Sequence, residues 1–121
     1  MSGTVGSDRL VDTDIFVDQL RGAAKLPATA RDSCYCVITR CELLSGKRTD
    51  QATIDALLEP FRELSVNRMV ADRAGLLRRT VGIATPDALI AATALAHGLT
   101  VVTRNERHFA RVPGLQVELP S

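Results

Sequence analysis

The sequence predicts an α/β fold, a parallel sheet with helices on both faces. Two observations carry that expectation. Short runs rich in β-branched or aliphatic residues ("CYCVI", "TVVT", "LQVEL") alternate along the chain with stretches of helical apolar spacing. That alternation is the pattern of successive strand–helix units in a layered α/β domain. The second observation is size: 121 residues with 45% hydrophobic and 24% charged content suit one globular domain with a real core. Residues 9–121 are therefore expected to form a single domain, preceded by a loose polar tail over 1–8.

The elements follow in order. "RLVDT" reads as a short strand ending at Asp12, and "DIFVDQLRG" as a helix closing at Gly22. "CYCVI" is a second strand, and "TRCELLSG" begins a helix that Gly46 ends. From Asp50, a good N-cap, Ile54, Leu57, Leu58 and Phe61 recur at helical spacing until Pro60 interrupts it. "ELSV" reads as a short strand. Val70, Ala74, Leu77 and Val81 mark an amphipathic helix stopped by Gly82. In "TPDALIAATALAHG", Thr85 is the expected N-cap, Pro86 the first helical residue and Gly98 the stop. "TVVT" is a buried strand, "NERHFA" a helical turn and "LQVEL" the last strand.

Several function classes recede on composition. A net charge of +1 gives no general attraction to nucleic acid or membrane, although 13 of the 15 basic residues are Arg. Arginine suits bidentate phosphate contact, and a GC-rich genome produces the same bias. The N-terminus has no apolar signal core, and the longest apolar stretch is too short to span a membrane, so a cytoplasmic protein is expected. Cys34, Cys36 and Cys41 have neither zinc nor redox spacing, and buried reduced thiols are the expected state.

Three acids stand out. Asp12 ends the first strand, Glu42 lies in the helix after the second, and Asp87 opens the most apolar helix. In a parallel sheet all three face one edge, the edge beyond the carboxyl ends of the strands where such folds bind ligands. Carboxylates gathered there suit Mg²⁺ or Mn²⁺, hard ions that prefer oxygen. Each acid also has an ordinary explanation. Thr39-x-x-Glu42 fits a capping box, Asp87 suits a helix dipole, and Asp12 can accept backbone hydrogen bonds at a turn. Convergence of three like charges is harder to explain without a cation.

The ordered set "LVDTDIFVDQLRG", "ITRCELLSGKR", "TPDALIAATALAHGLTVVTRNERHF" and "VPGLQV" covers almost the whole chain from Leu10. It resembles the PIN-domain ribonucleases, specifically VapC-type toxins of bacterial toxin–antitoxin pairs. The resemblance implies a three-layer α/β/α fold with a central, mainly parallel sheet. It also implies a Mg²⁺- or Mn²⁺-dependent endoribonuclease, a homodimer, and a cognate antitoxin lying over the active site. By position, Asp12, Glu42 and Asp87 match the family's first three acids and are the implied metal ligands. Many relatives carry a fourth acid where this chain has Asn105, which offers a carbonyl oxygen but no charge; others carry it where His108 stands, and Glu106 is a further candidate.

Around those acids, Thr13 and Thr103 are expected to support the ligands by hydroxyl contacts. Arg40, Arg104 and Arg107 are candidate contacts to RNA phosphates, or solvated charge. His97 suits a helix C-terminus, and Lys47–Arg48 read as a solvated turn. Two rival classes remain. Asp12-x-Asp14 resembles the nucleophile motif of haloacid-dehalogenase-type phosphatases, which also need a downstream lysine; Lys25 and Lys47 both come early. A PIN-like module that only binds RNA or protein is the other.

Overall fold

The computed structural model describes residues 8–22, 32–47 and 49–120. The tail expected over 1–8 lies outside these residues except for Asp8, as do Lys25 and Arg48. Five strands form one sheet: β1 (Arg9–Val11), β2 (Cys34–Cys36), β3 (Arg62–Leu64), β4 (Thr100–Val102) and β5 (Val117–Glu118). Their order is β3-β2-β1-β4-β5, and every pairing is parallel. The α/β expectation is met, with a sheet that is wholly rather than mainly parallel.

Among the described residues six helices connect and cover the strands: α1 (Thr13–Leu20), α2 (Ile38–Leu44), α3 (Gln51–Leu58), α4 (Arg68–Thr80), α5 (Thr85–His97) and α6 (Glu106–Phe109). Alternation along the strands sorts the core into two layers. Leu10, Cys34, Cys36 and Val101 join Val70, Ala74 and Leu77 of α4 and the alanine-rich body of α5. Val11 and Tyr35 face the other way, onto Ile15 and Phe16 of α1, Leu43 of α2, and Ile54 and Leu58 of α3. Cys34 and Cys36 are buried core residues as expected, while Cys41 is exposed. Among the described residues no helix is long and apolar enough to cross a membrane.

Of the boundaries that differ from the sequence reading, those at β2, α2 and α5 bear on the site. The run "CYCVI" contributes only Cys34–Cys36 to the sheet, because the backbone turns at Val37 and Ile38 already begins α2. Thr39 is therefore inside that helix, fully buried, and caps nothing; Glu42 is in the second turn, and the capping box does not form. At α5 the N-cap is Ala84, with Thr85 and Pro86 as the first two helical residues. The other end is as expected: Gly98 takes φ 66°, a left-handed cap that side chains disfavour.

What positions the site is the point where strand order reverses. From β1 the chain builds outward through β2 and β3, then returns to lay β4 and β5 on the opposite side. The crevice beyond the carboxyl ends of β1 and β4 is thus the switch point of the sheet, the usual ligand position in open α/β folds.

Candidate active site

Asp12 stands at that switch point, directly after β1, with 5% of its surface exposed. Its backbone N–H donates to the Val102 carbonyl at 2.9 Å, tying the end of β1 to β4. Its Oδ1 accepts the Thr13 N–H at 2.8 Å as the N-cap of α1. Its Oδ2 accepts the Thr103 hydroxyl at 2.7 Å, from the residue that follows β4. Burial raises the Asp12 pKa to about 7, with the charges of Asp14 and Asp87 adding to the effect and the Thr103 and Thr13 hydrogen bonds opposing it. This carboxyl holds its proton tightly chiefly because it is buried, and the like charges beside it add to that.

Glu42 joins the cluster through hydroxyls. Thr13 Oγ1 donates to Glu42 Oε1 at 2.6 Å and lies 2.8 Å from Thr39 Oγ1. A hydroxyl has one proton, so Thr13 spends it on the carboxylate and Thr39 donates to Thr13. The glutamate that fitted a capping box in sequence instead clasps α2 to α1. Sequence reasoning missed Thr39 as part of this chain; its signal was a threonine one turn before the acid, on the same face.

Asp87 lies in the first turn of α5, half-buried, with Ala88, Ile90, Ala91 and Ala92 of the same helix in the core. Its pKa is raised, chiefly by burial; the charge of His108 counteracts this and that of Asp14 adds to it. His108 Nε2 stands 3.4 Å from Asp87 Oδ2, a contact without hydrogen-bond geometry that is an ion pair when the imidazole is protonated. The structure thus brings His108 to the third acid.

A further acid belongs to this edge: Asp14, in the first turn of α1. Its Oδ2 accepts the Arg104 N–H at 3.2 Å and lies 3.4 Å from the Thr103 hydroxyl, while its Oδ1 is buried without a hydrogen-bond partner. Burial raises its pKa, opposed by the Arg104 N–H, by hydrogen bonding with the Asp12 carboxyl, by the Arg104 charge and by the Thr103 hydroxyl. The "DTD" motif displayed this residue, but its strand-to-helix position was read only against a phosphatase pattern.

The basic candidates are placed differently. Arg104 pairs through Nη1 with Asp18 Oδ2 at 2.8 Å, which secures the loop after β4 against α1. Arg40 is bonded to Asp55 of α3 beside Tyr35, and Arg107 is exposed on α6. Asn105 sits at the N-cap position of α6 and makes no side-chain cap bond; its N–H donates to Thr103 Oγ1 at 2.9 Å. Lys47 lies on the wall of a groove of about 780 Å³ between α1, α2 and the start of α3, also lined by Val17, Leu20, Arg21, Glu42, Leu43 and Thr53.

Hard divalent cations suit this chemistry. The donors are carboxylate and hydroxyl oxygens, clustered like charges disfavour one another without a counter-ion, and one buried oxygen lacks any donor. As they stand, no three His, Cys, Asp or Glu side chains among the described residues are grouped closely enough to enclose a metal ion. Hydroxyls from Thr13 and Thr103 hold the acids instead.

Comparison with known proteins matches residues 9–115 to the PIN domain family. The chain is 34% identical to "Ribonuclease VapC19" of Mycobacterium tuberculosis, over 89% of this chain and 97% of that protein. It is 30% identical to the "tRNA(fMet)-specific endonuclease VapC" of Salmonella typhimurium, over 70% and 73%. Among solved structures, a toxin–antitoxin complex from Klebsiella pneumoniae superposes with a TM-score of 0.73 at 31% identity, covering 93% of this chain and 98% of that one.

Proposed function

The chain belongs to the PIN-domain family, among its VapC-type ribonucleases, and from that premise we propose that it is the endoribonuclease toxin of a toxin–antitoxin pair, dependent on Mg²⁺ or Mn²⁺. The observation that carries the catalytic reading is the arrangement at the switch point. Asp12, buried beyond β1, feels the charges of both Asp14 and Asp87, and Thr103 of the adjacent strand holds it in place. Burial, with the like charges of Asp14 and Asp87 adding to it, raises the pKa of this carboxyl to about 7, and a cation at that point would relieve both effects.

Asp12, Glu42 and Asp87 are the residues that would hold the cation. A divalent ion supplies a more acidic water and neutralises charge building on a phosphodiester. The chain's own residues do the rest. Asp12 is fixed by Thr13 N–H and Thr103 Oγ1, so its carboxylate cannot rotate away. Glu42 is oriented by the Thr39–Thr13 hydroxyl pair and borders the groove between α1 and α2. Asp87 is carried on a helix whose body is locked in the core, the rigid support a hydrolytic centre requires. Asn105 adds an uncharged oxygen at the rim.

The partners follow from the same reading: an RNA substrate, a cognate antitoxin and a second copy of the chain. The antitoxin of the Klebsiella complex makes such a partner the expected one, and the groove beside Glu42, with Val17, Leu20 and Leu43 between charged residues, offers it a seat. The phosphatase alternative is disfavoured, since Lys47 lies on the groove wall in the turn after α2 rather than after a later strand. The test is RNA cleavage by wild type and Asp87→Asn, with tRNA as the first substrate in view of the Salmonella relative. Wild type is expected to cut, and Asp87→Asn to lose about 100-fold or more while melting normally. Intact RNA in both samples contradicts the proposal.

A further inference from the structure

The cluster has one residue whose geometry the functions above leave unexplained. Asp14 has two carboxylate oxygens in different circumstances. Its Oδ2 is accounted for, because it accepts the Arg104 N–H at 3.2 Å and holds the loop after β4 against α1. Its Oδ1 is buried and accepts from no N–H or hydroxyl donor, and the carboxyl's remaining hydrogen bonding is with another acid, Asp12. A buried carboxylate oxygen without a partner is costly, and neither the helix dipole nor the loop contact offsets that cost. The same side chain lies near enough to Asp12 and Asp87 for its charge to act on both. By contrast, Asn105 carries no charge and turns its backbone N–H toward Thr103. The centre is one carboxylate short at position 105, and a carboxylate with a spare oxygen stands on the neighbouring helix.

Resting on the reading of this centre as a divalent-cation site, we propose that Asp14 is its fourth carboxylate, with Oδ1 the oxygen left for the cation, in place of the charge that Asn105 lacks. Thr103 then lies between the two acids, its single proton given to Asp12. It donates to Asp12 at 2.7 Å and sits 3.4 Å from Asp14, so the residue after β4 spaces the two carboxylates.

The experiment measures Mn²⁺ binding to the full chain by calorimetry, together with the rise in Tm that Mn²⁺ induces, so the readout does not depend on cleavage. Asparagine at position 14 keeps an oxygen to accept the Arg104 N–H, and Asp14→Ser keeps one too if asparagine disturbs the loop. Asp14→Asn is expected to weaken Mn²⁺ binding about tenfold or more, and to shrink the Mn²⁺-induced rise in Tm. Its metal-free Tm is expected to be unchanged or higher, since a like charge has gone. Wild-type affinity in both position-14 variants, with binding lost in Asp12→Asn, would overturn the proposal while leaving the cation centre intact. A wild-type chain that takes up no Mn²⁺ would overturn both.

Discussion

Asp12 is at once a helix cap and a buried carboxyl among like charges, and the two roles oppose each other energetically. In the folded chain its pKa is about 7, against an ordinary value of 3.8. A folded value above the unfolded one means that protonation favours the native state. That contribution is fully present below about pH 4 and is lost as pH rises through 7. Asp12→Asn has no charge to bury and retains an oxygen for the Thr13 N–H. In excess chelator the variant is therefore expected to exceed wild type in stability by about 2 kcal/mol or more at pH 8, with the advantage vanishing near pH 4. Calorimetric melts across that range read it out, and a pH-independent difference contradicts it. The position of Asp12 was legible in the sequence, because a carboxylate ending a strand in a parallel sheet must face the ligand edge. The membership of Asp14 was not. Residues i and i+2 of a helix do not share a face, and only the turn from extended Asp12 into α1 brings both acids to the same hydroxyl.

Between elements, the contact that decides the role of Glu42 is the chain of hydroxyls from Thr39 through Thr13, joining α2 to α1. The sequence supported a capping box, and this reading failed because Ile38 left the strand for the helix, carrying Thr39 one step inside. β-branched residues favour strands only as a packing preference, and the turn at Val37 overrode it. Glu42→Gln keeps an acceptor for Thr13 but removes the charge. It is expected to fold, to melt within about 1 kcal/mol of wild type, and to lose RNA cleavage by more than the 10–100-fold typical of a group that only orients a metal ligand. Normal cleavage by this variant would reduce Glu42 to a clasp between helices. The longer elements were read well for the opposite reason. The four-residue spacing of Val70 and Ala74 with Leu77, and the paired Pro86 and Gly98 of α5, are local signals that tertiary packing reinforced.

At the scale of the molecule, strand order is what gathers residues 12, 87 and 103 from distant parts of the sequence. No local pattern shows that β4 returns beside β1, yet that pairing, with Val11 opposite Val102, sets Thr103 against Asp12. Alternating strands and helices made the parallel sheet legible, and the resemblance supplied the expected convergence. The structure adds the hydroxyl contacts that hold the acids, and the ion pairs of Arg40 and Arg104 with Asp55 and Asp18. The central claim is that this edge cuts RNA only with a hard divalent cation in place. Cleavage of a labelled tRNA by the purified chain, in chelator and then after replacement of one metal at a time, tests it directly. Cleavage is expected to cease in EDTA, to return with Mg²⁺ or Mn²⁺, and to return poorly with Zn²⁺, which prefers nitrogen and sulfur donors where this cluster is mainly carboxylate and hydroxyl oxygen with His108 its one imidazole. Undiminished cleavage in excess EDTA by a preparation whose Asp12→Asn variant is inert would contradict it.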